Sequence, residues 1–79
     1  MVNYGILNNI CQQIRSLGFD VRGKTDETRV VGLYYVGFEV DGICSYGCWR
    51  SDEQVAVNQA ADKLRAVHEA LVYWSNKSR

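Results

Sequence analysis

Three thiols and one imidazole are the side chains here that could carry covalent or metal chemistry: Cys11, Cys44, Cys48 and His68. A catalytic cysteine needs a base within hydrogen-bond reach, and His68 is the only histidine. It falls at the margin of a helix's apolar stripe, the place of a packing imidazole. A zinc ion would need its ligands to converge at about 2.0–2.3 Å. Cys44 and Cys48 stand four apart on an extended segment, so they point the same way but sit roughly 13 Å apart. They neither chelate one ion nor bridge each other. Gly32, Gly37, Gly42 and Gly47 recur every five residues without the helix N-terminus that a phosphate-cradling loop requires. The expectation is no catalytic residue, no metal and no cofactor, and hence not an enzyme. An odd cysteine count fits free thiols in a reducing cytoplasm better than a disulfide framework.

The elements that position these groups must come from 79 residues, enough for a single domain spanning 1–79. A hydrophobic share of 47% is ordinary for a globular chain. Lysine plus arginine equals aspartate plus glutamate, nine each, for a formal charge of zero. That balance argues against the basic excess of a nucleic-acid binder. No apolar run nears the roughly 18 residues of a membrane span. The N-terminus lacks a basic-then-apolar leader, so a cytoplasmic location is expected.

After Asn3, a candidate N-cap, Ile6, Leu7, Ile10, Ile14 and Leu17 recur at helical steps and Gly18 supplies a left-handed stop. This predicts a helix over about 3–17. Residues 19–23 alternate briefly and read as a short strand. Gly23 to Thr28 reads as a polar loop. Residues 29–50 read as a hairpin, with Asp41-Gly42 as its two-residue turn. Ser51 with Gln54 forms a capping-box pattern. A second helix follows over about 52–74, with Val57, Ala60, Ala61, Leu64, Val67, Leu71 and Trp74 on its inner stripe. The tail 75–79 is expected to fray. The fold class is α+β: a small α-β-β-(β)-α domain with two helices on one face of an antiparallel sheet.

A two-residue turn sets Val40 opposite Ile43, Phe38 opposite Ser45, Val36 opposite Gly47 and Tyr34 opposite Trp49. On the other face it sets Glu39 against Cys44, Gly37 against Tyr46, Tyr35 against Cys48 and Leu33 against Arg50. The first face is the more apolar and should meet the helices. The second is then left outside, as a patch of Leu33, Tyr35, Cys44, Tyr46 and Cys48 with Glu39 and Arg50 at its rim. Such a patch suits a protein partner or a second copy of the chain.

The order of elements, with Phe38 and Val40 before the Asp41-Gly42 turn, Gly47, Ser51 and Ala60-Ala61, resembles the double-stranded-RNA-binding domain family over roughly half the chain. The resemblance implies an α-β-β-β-α fold with both helices on one face of the sheet. It also implies lysines at the start of the second helix that reach RNA phosphates. Aligned on the alanines, those positions hold Glu53, Gln54 and Val57; aligned on Ser51, they hold Asp52, Glu53 and Ala56. Phosphate contacts supply most of the affinity for duplex RNA. The expected function is therefore a non-enzymatic protein-binding module, of the kind that small phage-encoded inhibitors use to occlude a host protein. The rival is a duplex-RNA binder relying on Arg22, Lys24, Arg29, Lys63 and Arg65 as one basic rim.

Overall fold

The computed structural model describes residues 2–27 and 32–77. Their order is α1 (Gly5–Ser16), β1 (Val21–Glu27), β2 (Tyr34–Val40), β3 (Cys44–Arg50) and α2 (Glu53–Lys77). The strands form one antiparallel sheet in the order β1-β2-β3. Both helices lie on one face of it, and the α+β, α-β-β-β-α expectation holds.

Helix α1 buries Leu7, Ile10, Cys11 and Ile14. Its stripe is rotated by part of a turn from the expected one: Cys11 is inside, and Ile6 is 54% exposed. Asn3 is not the N-cap but stands one position before it. Its Oδ1 accepts the Gly5 N–H at 2.7 Å, and Tyr4 occupies the cap position. Gly18 has φ +100°, the left-handed stop that its position predicts.

Strand β1 starts two residues later than the expected 19–23 segment and continues through Glu27. The polar stretch from Gly23 is therefore strand up to Glu27; Thr28, Arg29 and the start of the expected hairpin lie outside the described residues. Pairing of Val21 through Glu27 with Val40 back to Tyr34 overrides the weak local strand propensity.

The largest correction is at the hairpin. Val40 pairs with Cys44, so three residues, Asp41 to Ile43, form the loop. Gly42 takes φ +66°, and the Ile43 N–H donates to the Val40 carbonyl at 3.1 Å. The pairs become Phe38 with Tyr46, Gly37 with Gly47, Val36 with Cys48 and Tyr35 with Trp49. Side chains alternate with a period of two, so this slip of one residue turns all of β3 over. Cys44, Tyr46 and Cys48 face the helices, and Ile43 is left 50% exposed in the loop. Packing explains the choice. A small Cys48 fits beneath Ala56, and Tyr46 stacks on Phe38; a two-residue turn would have sent Ser45, Gly47 and Trp49 inward instead.

Helix α2 is capped by Asp52, not Ser51. The Asp52 Oδ1 accepts the N–H groups of Gln54 at 2.9 Å and Val55 at 3.2 Å. Gln54 turns away from a capping box and clasps Asn3. The Asn3 N–H donates to Gln54 Oε1 at 2.8 Å, and Gln54 Nε2 donates to the Asn3 carbonyl at 3.2 Å. Beside them Tyr4 Oη donates to Glu53 Oε2 at 2.6 Å. The two helices thus begin side by side. With 12 residues in α1 and 25 in α2, the second outruns the first by about 20 Å. This overhang corrects two expectations. Trp74 continues the stripe's phase but is 63% exposed. The helix also runs on through Lys77, whose Nζ donates to Tyr73 Oη at 3.3 Å; Ser78 and Arg79 are outside the described residues.

The core is one cluster centred on Ile14, Phe38, Val57 and Leu64. Burial of such aliphatic and aromatic side chains, at about 1.5–3 kcal/mol each, dominates the stability of a domain this small.

Candidate functional site

The residues expected to share an outer patch are divided by the register between two sides of the sheet. Tyr35 and Glu39 stay on the outer face, where Trp49 joins them. Cys44, Tyr46 and Cys48 go to the helix side. Leu33 precedes β2 and is half-buried, and Arg50 is exposed at the end of β3.

The outer face is built around two glycines. Gly37 and Gly47 are direct partners. A Cβ on Gly47 would collide with the Tyr35 ring, and one on Gly37 with the Tyr46 carbonyl. The Tyr35 ring therefore lies across the glycine row, where only glycine leaves room. It packs on Trp49 with ring centroids 5.0 Å apart and planes at 53°. Lys24 Nζ stands 2.7 Å from Glu39 Oε1, and Arg22 Nε stands 3.5 Å from Asp20 Oδ2. The Lys24 hydrogen bond holds the Glu39 carboxyl below its ordinary pKa, and Glu39 in turn raises the lysine. Rings and charges on this face are matched to one another.

The helix side of β3 differs. Cys48 is buried, with its Sγ 3.6 Å from the Val36 carbonyl and 3.7 Å from the Ala56 carbonyl. Tyr46 is half-buried and stacks on Phe38 with centroids 5.6 Å apart. Burial pushes the Tyr46 phenol above its ordinary pKa.

Between β3 and α2 runs a groove made of two adjoining hollows that share Tyr46, Lys63 and Ala66. At one end its floor is Phe38, Cys44, Val67 and Ala70. At the other it meets Arg50, Gln59 and Asp62. Lys63 Nζ hangs 6.0 Å from the centre of the Tyr46 ring. Asp62 is engaged by Arg65 at 3.2 Å. Among the described residues neither Lys63 nor Arg50 meets a carboxylate; Arg50 donates instead to the Trp49 carbonyl at 2.6 Å. The Gln59 Oε1 is buried and accepts no hydrogen bond from a described residue.

The groove borders an unprotected edge. Strands β1 and β3 are the two edges of the sheet. Along β1, Arg22 and Lys24 supply charge that discourages further pairing. On β3 the only charged residue is the terminal Arg50. Sequence reasoning missed Gln59, Ala66, Val67 and Ala70 as groove residues, because only a placed β3 identifies which flank of α2 it faces.

The other candidates stay apart. Cys11 is buried against the core, and burial raises its thiol above the ordinary value, away from the reactive thiolate. His68 is half-buried on α2. Among the described residues no group of three or more histidine, cysteine or acidic side chains could hold a metal ion, and no helix is long and apolar enough to cross a membrane. Of the five residues weighed for RNA, Arg22 and Lys24 lie on β1 and are ion-paired. Lys63 and Arg65 lie on α2, with Lys63 beside the opposite edge of the sheet, and Arg29 is outside the described residues. The start of α2, where the family resemblance would need lysines, carries the capping Asp52 and, in the first turn, Glu53. No protein-family model, no curated protein sequence and no solved structure matches the chain.

Proposed function

We propose that this chain is a non-enzymatic protein-binding module and that its contact site is the open edge of β3 with the groove beside it. One observation carries the reading: an edge strand with a single charge runs beside an apolar groove lined by Phe38, Tyr46, Ala66, Val67 and Ala70. An exposed edge is a template for pairing with another chain, and an adjoining apolar hollow gives that pairing side-chain specificity. A module of this kind works by steric occlusion, which needs complementary surface and no reaction centre.

Affinity capture from the native host tests the site if variants are compared side by side. Ala66→Arg with Ala70→Arg fills the groove from two exposed positions and should leave the helical circular dichroism intact while abolishing capture of the specific partner. Tyr35→Glu, on the outer face, should retain it. The reverse pattern would return the contact to the outer face. Sub-micromolar binding of a duplex RNA with a steep salt dependence would replace the protein reading by a nucleic-acid one.

A further inference from the structure

We infer that the β3 edge takes up an extended segment of a partner protein as a fourth strand, with apolar side chains at alternate positions and a carboxylate at its Arg50 end. This rests on the docking reading above and names the occupant.

Periodicity supplies the first argument. The side chains of Cys44 and Tyr46 project to the groove side of the sheet, and Ser45 and Gly47 alternate to the other side, with Ser45 also lining the rim of the hollow. A strand laid alongside has the same period of two, so every second side chain would drop toward Phe38, Val67 and Ala70. A helix in the groove would satisfy its own backbone and leave the β3 edge groups unpaired. The seven residues of β3 offer about 20 Å of edge, which six or seven extended residues would cover.

Charge supplies the second. Lys63 and Arg50 line one end of the groove together with Asp62; among the described residues neither cation is ion-paired, and Asp62 pairs with Arg65 at 3.2 Å. An aspartate or glutamate of the occupant would complete that corner. The unsatisfied Gln59 Oε1 in the same corner adds a place for an N–H or O–H donor. The same charges disfavour a second copy of this chain. Two-fold pairing of β3 about its central Gly47 would set the two Arg50 residues at opposite ends of the seam, each against a strand that carries no acid, so a second copy's β3 offers neither corner a carboxylate.

Selection of phage-displayed random decapeptides on the immobilised full chain tests the occupant. Enriched peptides should alternate apolar and polar residues and carry an acid near one end. They should slow hydrogen exchange of the β3 amides. Lys63→Glu combined with Arg50→Glu should weaken such a peptide by about tenfold or more, and reselection on that variant should favour basic residues. Enriched peptides that protect β3 but lack an acid, or that bind as helices, would overturn the occupant and leave the docking site standing. Peptides that protect the Tyr35–Trp49 face instead would overturn both. Failure to enrich any peptide, or a β3-mediated dimer in analytical ultracentrifugation, would also refute the acidic strand.

Discussion

The outer face of the sheet and the groove behind β3 both present aromatic rings and cations, but they stand differently toward a neighbour. On the outer face the Tyr35 ring is spent covering Gly37 and Gly47, Trp49 packs on Tyr35, and Lys24 is matched by Glu39. In the groove Tyr46 is only half-buried where it stacks on the buried Phe38, and among the described residues neither Lys63 nor Arg50 is ion-paired. Exposed apolar area alone does not separate the two regions: Trp49 on the outer face is 37% exposed. What separates them is whether the local chemistry is complete. A surface whose rings and charges satisfy one another gains little from a partner, whereas one with unmatched groups beside an open edge gains both hydrogen bonds and charge pairing.

The comparison is broken most forcefully at the glycines. On Gly37 a Cβ would strike the Tyr46 carbonyl and approach the Gly47 Cα to 2.9 Å, and backbone cannot swing aside. Gly37→Ala should therefore cost about 3 kcal/mol, lowering Tm by roughly 15 °C. On Gly47 the obstacle is the Tyr35 ring, which can rotate away. Gly47→Ala should cost less, about 1–2 kcal/mol, mostly through loss of the ring's packing on Trp49. Tyr35→Ala in the Gly47→Ala background should then add little, because the same contact is removed twice. Thermal melts read by tryptophan fluorescence measure all three. Full additivity would mean that the ring and the glycine row are independent, and the outer face would lose its claim to be complete.

The same contrast explains what could be read from the sequence. The helices were legible because the 3.6-residue period survives packing: Leu7, Ile10 and Ile14, and Val57, Ala60, Ala61, Leu64 and Leu71, are inside as their spacing requires, with Val67 partly so. The order of elements followed from the Asp41-Gly42 reversal. The faces of β3 did not, because a loop of two or three residues reads alike when glycine follows aspartate, and Ile43 suits either. That single residue decided whether Tyr46 and Cys48 lay outside or inside. Of the expected outer patch, Tyr35 and Glu39 lie on the outer face, whereas Cys44, Tyr46 and Cys48 lie on the helix side. Trp74 kept its helical phase but is 63% exposed, and no spacing rule reports where a neighbouring element ends.

A smaller effect is expected where the helix starts are clasped. Tyr4 Oη donates to the Glu53 carboxylate at 2.6 Å, and burial, reinforced by Glu53, pushes the phenol from 10.0 up to about 12. The native state therefore holds this proton more tightly than the unfolded chain. The contribution is complete below about pH 10 and fades as the pH rises to about 12. Tyr4→Phe should lower stability at neutral pH by about 1 kcal/mol and flatten the alkaline decline over that interval. Urea titrations from neutral to alkaline pH read both outcomes. An unchanged alkaline slope in the variant would assign the decline to other groups, Tyr46 first among them.

The smallest effect belongs to Lys24 and Glu39, and it bears most directly on which surface is complete. Both side chains are about half exposed, so their pairing is screened by water and salt and contributes little to folding. A double-mutant cycle with Lys24→Met and Glu39→Gln should give a coupling near the resolution of a thermal melt, and molar salt should remove it. Partner capture is the sharper readout. If the outer face is closed upon itself, breaking the pair leaves capture unchanged, because neither charge is reserved for a neighbour. If capture falls with either single variant and is restored in neither, these charges face a partner. The matched rings and ions of the outer sheet would then be the resting state of an interface, and the groove would have to share its role.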